Sequence, residues 1–157
     1  MPTNVSLRPA GADDEAFITE VYGSTREQEL SVVPWSPAQK MAFIKMQHDA
    51  QQSHYRKFYP GGEQSVILWQ GQPVGRLYVA RVEKQIRILD ITVLPRHRNR
   101  GIGSQIIREL MAEGEKAGKP VAIMVESYNP SLRLFERLGF TQGEAEGAHV
   151  LMEWRGR

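Results

Sequence analysis

The chain has 157 residues, the size of one domain with room for a substantial hydrophobic core. Its hydrophobic fraction of 41% and charged fraction of 24% are typical of a globular protein, and no apolar run approaches the roughly 18 residues of a membrane span. A net charge of +2 argues against a nucleic-acid binder, and the lack of cysteine excludes disulfides and thiolate sites. We therefore expect one domain over residues 1–157. The N-terminal residues do not resemble a secretory signal, so we expect a cytoplasmic location.

The chain begins with a predicted strand and two predicted helices. The strand covers residues 5–7, and Asp13 or Asp14 can cap the helix that follows. A longer helix begins after Ser36, where a proline takes the first helical position and a glutamine completes a capping box, and it ends at Pro60. The apolar positions that mark the first helix by their spacing are Phe17, Ile18, Val21 and Tyr22.

The middle of the chain predicts an antiparallel meander. Strand-like segments cover residues 65–69, 74–82 and 85–94, and the first two flank Gly71-Gln72-Pro73, which is a hairpin signal. A turn that contains glycine then leads into a helix that Gly118 ends.

The last part of the chain predicts a buried strand, a helix and a strand pair. Residues 121–125 form a continuous apolar run, as expected of a central strand covered on both faces. Asn129 can cap a helix whose first position is Pro130, and segments 140–142 and 149–154 follow as an antiparallel pair. Because strand, helix and strand in succession form a parallel crossover, the expected fold class is α/β with a mixed sheet.

The turn from Arg98 to Gly103 is the strongest functional signal. It places Gly101 and Gly103 among arginines, directly before a helix. Glycine lets the backbone approach a ligand closely, and the helix N-terminus offers unpaired N–H groups with a partial positive charge. Against the alternative of a solvated charged loop, this combination predicts a phosphate-binding site.

Other phosphate-binding motifs do not fit this turn. A P-loop requires Gly-Lys-Ser or Gly-Lys-Thr, which the chain lacks. A dinucleotide-binding fingerprint requires a third glycine after Gly103, and none stands there. Aromatic residues are not interleaved with the arginines, as a reader of single-stranded nucleic acid would require.

Two segments resemble the signatures of the GNAT family of N-acetyltransferases. Arg98-x-x-Gly101-x-Gly103 after an apolar strand resembles the family's acetyl-coenzyme A pyrophosphate loop, and segment 129–140 resembles its second signature. The order of predicted elements matches the family from about Val5 to Trp154. The resemblance implies a mixed, mostly antiparallel sheet of six to seven strands, with a central parallel pair that splays apart and about four flanking helices.

The resemblance also implies how acetyl-coenzyme A binds as a cosubstrate, without a metal. Backbone amides of the turn would hold the pyrophosphate, and Val93 would pair through its backbone with the pantetheine arm. Asn129 and Phe135 belong to the second signature, which approaches that arm. The cosubstrate would lie between the strands that hold Val93 and Val125. The turn residues assigned to it are Arg98, Asn99, Arg100, Gly101, Ile102, Gly103 and Ser104.

The proton donor that is usual in the family is missing. Many members have a tyrosine that protonates the departing coenzyme A thiolate, where this chain has Phe135, which cannot donate a proton. Tyr128 and Ser131 are nearby replacements, and water is a third, because a thiol titrates at about 8.5. The donor therefore stays unassigned among these three.

An amine acceptor must lose a proton before it attacks a thioester, so the site needs a base. Asp90 is the first candidate because it interrupts an apolar strand; its alternative role is an ion pair with Arg87 or Arg76. Glu126, at the end of the facing strand, is the second candidate, and its alternative is an exposed charge.

The resemblance implies acetyl transfer to a primary amine, which could be a small molecule, an amino acid or a peptide. The rival hypothesis is a non-catalytic acyl-coenzyme A-binding regulatory protein, and it rests on Phe135. Dimers are common in the family, so a homodimer is a further implication. Residues that could border the acceptor, or simply pack, are Tyr22, Trp35, His48, His54, Tyr55 and Tyr59.

Overall fold

The computed structural model describes residues 4–127 and 129–156. Two short 3-10 turns accompany the longer elements, at Ala12–Asp14 and Pro95–His97. Within the described residues the helices are α1 (Glu15–Ser24), α2 (Glu27–Leu30), α3 (Pro37–Phe58), α4 (Ile102–Ala117) and α5 (Ser131–Arg137), and the strands are β1 (Val5–Pro9), β2 (Glu63–Trp69), β3 (Gln72–Arg81), β4 (Ile86–Val93), β5 (Val121–Glu126), β6 (Thr141–Glu146) and β7 (His149–Trp154).

The described strands form one seven-stranded sheet in the order β1-β2-β3-β4-β5-β7-β6. Every neighbouring pair in it is antiparallel except β4 and β5, which are parallel. The α4 helix connects those two strands, as a parallel crossover requires. The predicted mixed, mostly antiparallel sheet with a central parallel pair is confirmed.

Local signals account for most helix boundaries. The Ser36 hydroxyl accepts from the Gln39 amide at 3.1 Å, and the Gln39 side chain accepts from the Ser36 amide at 2.8 Å, so the predicted capping box begins α3. Gly118 ends α4 in the left-handed conformation, with φ of 67°. The α5 helix begins at Ser131, one residue later than predicted, and the Asn129 carboxamide oxygen accepts from the Ser131 amide at 2.9 Å. The short α2 helix was not predicted.

The two faces of the sheet are covered differently. On one face, the buried side of α4 packs against aliphatic residues of β2 to β5 and forms the hydrophobic core. The other face carries α1 and α3, which pack against each other. Of the α3 residues only His48 is buried, so this long helix contributes mostly polar and aromatic side chains to the interior. No described helix is long and apolar enough to cross a membrane.

Candidate active site

The parallel strands β4 and β5 separate partway along their length. Their paired residues are Ile86 with Val121, Arg87 with Ala122 and Ile88 with Ile123. Beyond that point β5 continues to pair with β7 as far as Glu126, whereas β4 continues to pair with β3 as far as Val93. The sheet therefore opens between residues 89–93 and 124–126, and we call this gap the strand opening.

A β-bulge lies where the opening begins. Tyr78 of β3 faces Asp90 of β4, and the next pair is Val79 with Ile88, so Leu89 is an extra residue on β4. A bulge leaves the extra residue outside the regular ladder and bends the strand. The bend of β4 at Leu89 thus coincides with the loss of its pairing to β5.

The turn after β4 brings the N-terminus of α4 to the strand opening. Asn99 and Gly101 both have a positive φ, of 64° and 77°. Among the described side chains, none caps α4 at Gly101, which leaves the amides of its first turn available to a ligand. A Cβ atom built on Gly103 would meet nothing within 4 Å, so the backbone there is open to close approach. This geometry suits an anion such as a pyrophosphate.

Two arginines of the turn are held by neighbouring groups. The Arg98 Nε donates to the Val93 carbonyl at 3.0 Å, which ties the turn back to the end of β4. The Arg100 guanidinium lies over the Trp69 ring at 4.6 Å, and the His97 ring is 6.1 Å from the same ring. Burial, followed by repulsion from the Arg96 and Arg100 charges, lowers the pKa of His97.

The far side of the opening is formed by the end of β5 and the start of α5. A cavity of about 520 Å³ lies there, beside Ser127 and Asn129. Tyr128, predicted as a catalytic candidate, lies outside the described residues. The other residues that line the cavity are Pro130, Leu132, Arg133 and Glu136.

Phe135 lies in the hydrophobic core. It is 2% exposed, and its ring packs edge-on against Phe140 with centroids 5.2 Å apart. Little of its surface is therefore available to a ligand, although the sequence placed it among the cosubstrate contacts. Its burial explains why a side chain without a hydroxyl is tolerated there.

Asp90 is ion-paired with a buried arginine. The Arg76 side chain has no exposed surface, and its Nε lies 2.5 Å from Asp90 Oδ2. The Thr92 hydroxyl donates to Asp90 Oδ1 at 3.1 Å. The Asp90 side chain keeps 23% of its surface exposed, so it lies at the edge of the strand opening and not in a sealed core. The ion pair with Arg76 is the alternative role that the sequence left open for Asp90.

The rest of the Arg76 guanidinium is surrounded by polar side chains of α3 and β2. Its terminal nitrogens donate to Gln51, Gln52 at 3.2 Å and Gln64 at 3.1 Å, and one of them lies 3.1 Å from His48 Nε2. We call Arg76, Asp90 and these four residues the polar cluster. His48 must accept from Arg76, and burial, followed by the Arg76 charge, lowers its pKa, so its ring is neutral.

The polar cluster also borders a second cavity, of about 420 Å³. His48, Gln52 and Gln64 line it from the inside, and Asp49 and Arg56 line it nearer the surface. The sequence indicated Arg76 only as a partner for Asp90 and did not mark the three glutamines as members of a site. An arginine near the start of the largely apolar segment 74–82 was the available signal.

Glu126 and Tyr55 flank the opening in different ways. Glu126 is the last residue of β5 and pairs with His149 of β7, so it stands at the mouth of the opening, across from the end of β4. The Tyr55 hydroxyl donates to the Leu89 carbonyl at 2.8 Å, and its ring packs against Tyr78. Burial raises the pKa of Tyr55, which keeps the phenol protonated.

Comparison with known proteins agrees with this arrangement. The model of the acetyltransferase (GNAT) family matches residues 27–140. Among curated protein sequences, none matches the chain.

Solved structures share the fold at low sequence identity. The PaiA N-acetyltransferase of Thermoplasma acidophilum, in complex with coenzyme A, has a TM-score of 0.74 and 13% identity, with 97% of this chain and 99% of that chain covered. An acetyltransferase of Thermus thermophilus has a TM-score of 0.68 and 14% identity, with 98% of both chains covered. A GNAT family acetyltransferase of Elizabethkingia anophelis with acetyl-coenzyme A bound has a TM-score of 0.63 and 14% identity, with 98% of this chain and 99% of that chain covered.

The family match covers the strand opening and the turn before α4, the two features from which the site is built. The chain is therefore a member of the GNAT acetyltransferase family.

Proposed function

We propose that the protein is an N-acetyltransferase that transfers the acetyl group of acetyl-coenzyme A to a primary amine. The observation that carries this proposal is the strand opening, which ends at Val93 beside the uncapped N-terminus of α4. A pyrophosphate at that N-terminus would direct the pantetheine arm into the gap between β4 and β5. Structural relatives with coenzyme A or acetyl-coenzyme A bound support the same cosubstrate.

The cosubstrate would be held mainly by backbone groups. The backbone amides from Arg98 to Ser104 would face the pyrophosphate. The positions between these two residues are Asn99, Arg100, Gly101, Ile102 and Gly103. The Val93 backbone pairs with the pantetheine arm, and Asn129 supports it from the other side. Because the Val93 carbonyl accepts from Arg98 in the free protein, Arg98 would release it to the pantetheine and turn toward the phosphates.

The chemistry requires two proton transfers. The amine nitrogen gives up a proton and forms a bond to the acetyl carbon, while the carbon–sulfur bond breaks and the thiolate takes a proton. Asp90 and Glu126 are the candidate bases, since they lie on opposite sides of the strand opening. Tyr128, Ser131 and water are the candidate donors in place of Phe135.

The second candidate function is a non-catalytic acyl-coenzyme A-binding protein, which the lack of a hydroxyl at Phe135 favours. Binding of coenzyme A would be common to both functions, whereas turnover would separate them. We also propose a cytoplasmic homodimer, on the lack of cysteine and on the frequency of dimers in the family.

The test is a screen for coenzyme A release from acetyl-coenzyme A over amines, amino acids, aminoglycosides and peptide N-termini, with calorimetry of coenzyme A binding in parallel. We expect binding together with release in the presence of at least one amine class. Binding without release across all classes would favour the non-catalytic function. Absence of binding would contradict both.

A further inference from the structure

Tyr55 makes a hydrogen bond that connects α3 to the bulge of β4. Its hydroxyl donates to the carbonyl of Leu89, the extra residue of the bulge, at 2.8 Å. Tyr55 lies near the C-terminal end of α3, and thirty-four positions separate the two residues, so this is a tertiary contact. Such a contact fixes the distance between the helix and the strand at that one point.

The Leu89 carbonyl lies where the pairing of β4 with both of its neighbouring strands changes. Pairing of β4 with β5 stops at Ile88, and the bulge takes Leu89 out of register with β3. A carbonyl left without a partner in a largely buried environment is destabilising, by an amount comparable to a lost hydrogen bond. The Tyr55 hydroxyl donates to this carbonyl at the point where the pairing of β4 changes on both sides.

The segment after the bulge depends on a few anchors. Residues 90–93 have β3 on one side and the strand opening on the other. Asp90 is held by Arg76, and β3 approaches β4 closely at Gly75, where an added Cβ would lie 2.2 Å from the Thr92 carbonyl oxygen. Tyr55 fixes the start of this segment, and Arg98 fixes its end at the Val93 carbonyl.

We propose that Tyr55 is a positioning residue, which acts through the Leu89 carbonyl to hold β4 in its bent course and thereby aligns residues 90–93 with the reacting thioester. This role rests on the proposed acetyl transfer. It does not place Tyr55 in contact with either substrate. The phenol keeps its proton because it is half-buried among the aromatic rings of α3 and β3.

The hydroxyl can be removed with little change in packing. In Tyr55→Phe the ring stays against Tyr78 and only the hydrogen bond is lost. The matched control is Tyr78→Phe, which removes a hydroxyl from the ring in contact with Tyr55 and leaves the bond to Leu89 intact. Both variants keep the turn before α4 unchanged.

The first readout is hydrogen–deuterium exchange of the free protein, which requires no activity. We expect residues 89–93 to exchange about fivefold or more faster in Tyr55→Phe, the effect of losing roughly one net hydrogen bond. The same segment in Tyr78→Phe and strand β1 in both variants should exchange at the wild-type rate. Unchanged exchange of residues 89–93 in Tyr55→Phe would overturn the proposal, whatever the enzyme's activity.

The second readout is steady-state kinetics with the best acceptor from the screen. We expect kcat to fall about five- to tenfold in Tyr55→Phe, while the coenzyme A dissociation constant stays within about twofold, because the bond aligns the strand and does not bind the phosphates. A purely structural role predicts a lower melting temperature with kcat unchanged, and that result would overturn the proposal. An equal loss of kcat in Tyr78→Phe would overturn it as well. A third outcome is faster exchange in Tyr55→Phe together with no turnover of any acceptor by the wild type. That outcome would support the role of Tyr55 in holding β4 and would count against acetyl transfer as the function.

Discussion

The strand opening is bordered by two regions of different construction. The turn before α4 is exposed, and the groups that it offers to a ligand are backbone amides, whose directions depend on the positive φ of Asn99 and Gly101. The polar cluster on the other face of the sheet surrounds the buried Arg76 and His48, and its groups are side chains from α3, β2, β3 and β4. Groups from one short segment are placed by local backbone conformation, whereas groups from four separate elements depend on how those elements pack.

The two regions also differ in what holds them. The turn depends on conformation, since a left-handed residue there needs glycine or asparagine. The cluster depends on complete pairing, because Arg76 has no exposed surface and is balanced by the one carboxylate of Asp90. Mutations should therefore affect binding of the cosubstrate in the first region and stability and catalysis in the second.

The largest expected effect is on stability and comes from Arg76→Met. Loss of the buried guanidinium leaves the Asp90 carboxylate without its countercharge and the glutamine side-chain oxygens without the arginine donor, and we expect the free energy of unfolding to fall by about 3–5 kcal/mol. Arg81→Met on the same strand is the control, since Arg81 pairs with Glu113 at the surface and should cost about 1 kcal/mol or less. Urea unfolding measures both. An equal loss of unfolding free energy in the two variants would contradict the claim that the buried ion pair matters more for stability than the exposed one.

The next effect is on cosubstrate binding and comes from Gly101→Val. A β-branched residue is strained at a φ of 77°, so the turn must change its course and the amides lose their alignment. We expect the affinity for coenzyme A to fall by about a hundredfold, which corresponds to about 2.7 kcal/mol and lies within the range for one strained residue. Gly147→Val imposes the same conflict at a φ of 62° in the β6–β7 turn, and calorimetry should show wild-type affinity for it. Unchanged affinity in Gly101→Val would contradict the assignment of the turn.

A smaller effect is expected on catalysis from Asp90→Asn. The variant keeps the shape of the side chain but removes the countercharge of buried Arg76, so we also expect it to be less stable than the wild type. Measured at a temperature where the variant is folded, kcat should fall by about ten- to a hundredfold, near the lower end for one acid–base group. The coenzyme A dissociation constant should stay at the wild-type value, because Asp90 lies away from the turn. Glu126→Gln is the companion variant: a loss of kcat confined to it would transfer the role of base to Glu126.

The smallest effect is a pH dependence of stability from His48. Its folded-state pKa is lowered by burial and by Arg76, so the unfolded state binds the proton more readily, and stability is lost as pH falls below about 6.5. The charged and polar groups around it include Asp49, Asp90 and Glu15. The slope should reach at most about 1.4 kcal/mol per pH unit, the value for one proton. Urea unfolding between pH 5 and 7.5 should show a shallower slope in His48→Gln, and identical slopes would contradict the assignment.

The fold and the turn could be predicted because their signals are local. The capping box at Ser36, the hairpin at Gly71 and the left-handed Gly101 each depend on a few consecutive residues. The mixed sheet then followed from the crossover through α4, and its central parallel pair followed from the resemblance to the family. The short α2 helix was not predicted because four residues are too few to show a helical periodicity of apolar side chains.

The polar cluster could not be predicted, because its members are far apart along the chain. Gln51, Gln52 and Gln64 have no feature that distinguishes them from surface glutamines until α3 is packed over β3. The hydrogen bond from Tyr55 to Leu89 could not be predicted either, because it depends on a β-bulge that the pattern of apolar and polar residues in β4 does not indicate. Asp90 was noticed only as a carboxylate in an apolar strand, and its partner became clear only in the structure.

The most direct test of the account is mass spectrometry of the acceptor after incubation with acetyl-coenzyme A that carries an isotopic label in its acetyl group. Acetyl transfer predicts a labelled acetyl group on the acceptor nitrogen, formed in equal amount with free coenzyme A, and far less product with Gly101→Val at a cosubstrate concentration near the wild-type dissociation constant. Tight binding of coenzyme A with no labelled product from any amine class would contradict acetyl transfer as the function of this site.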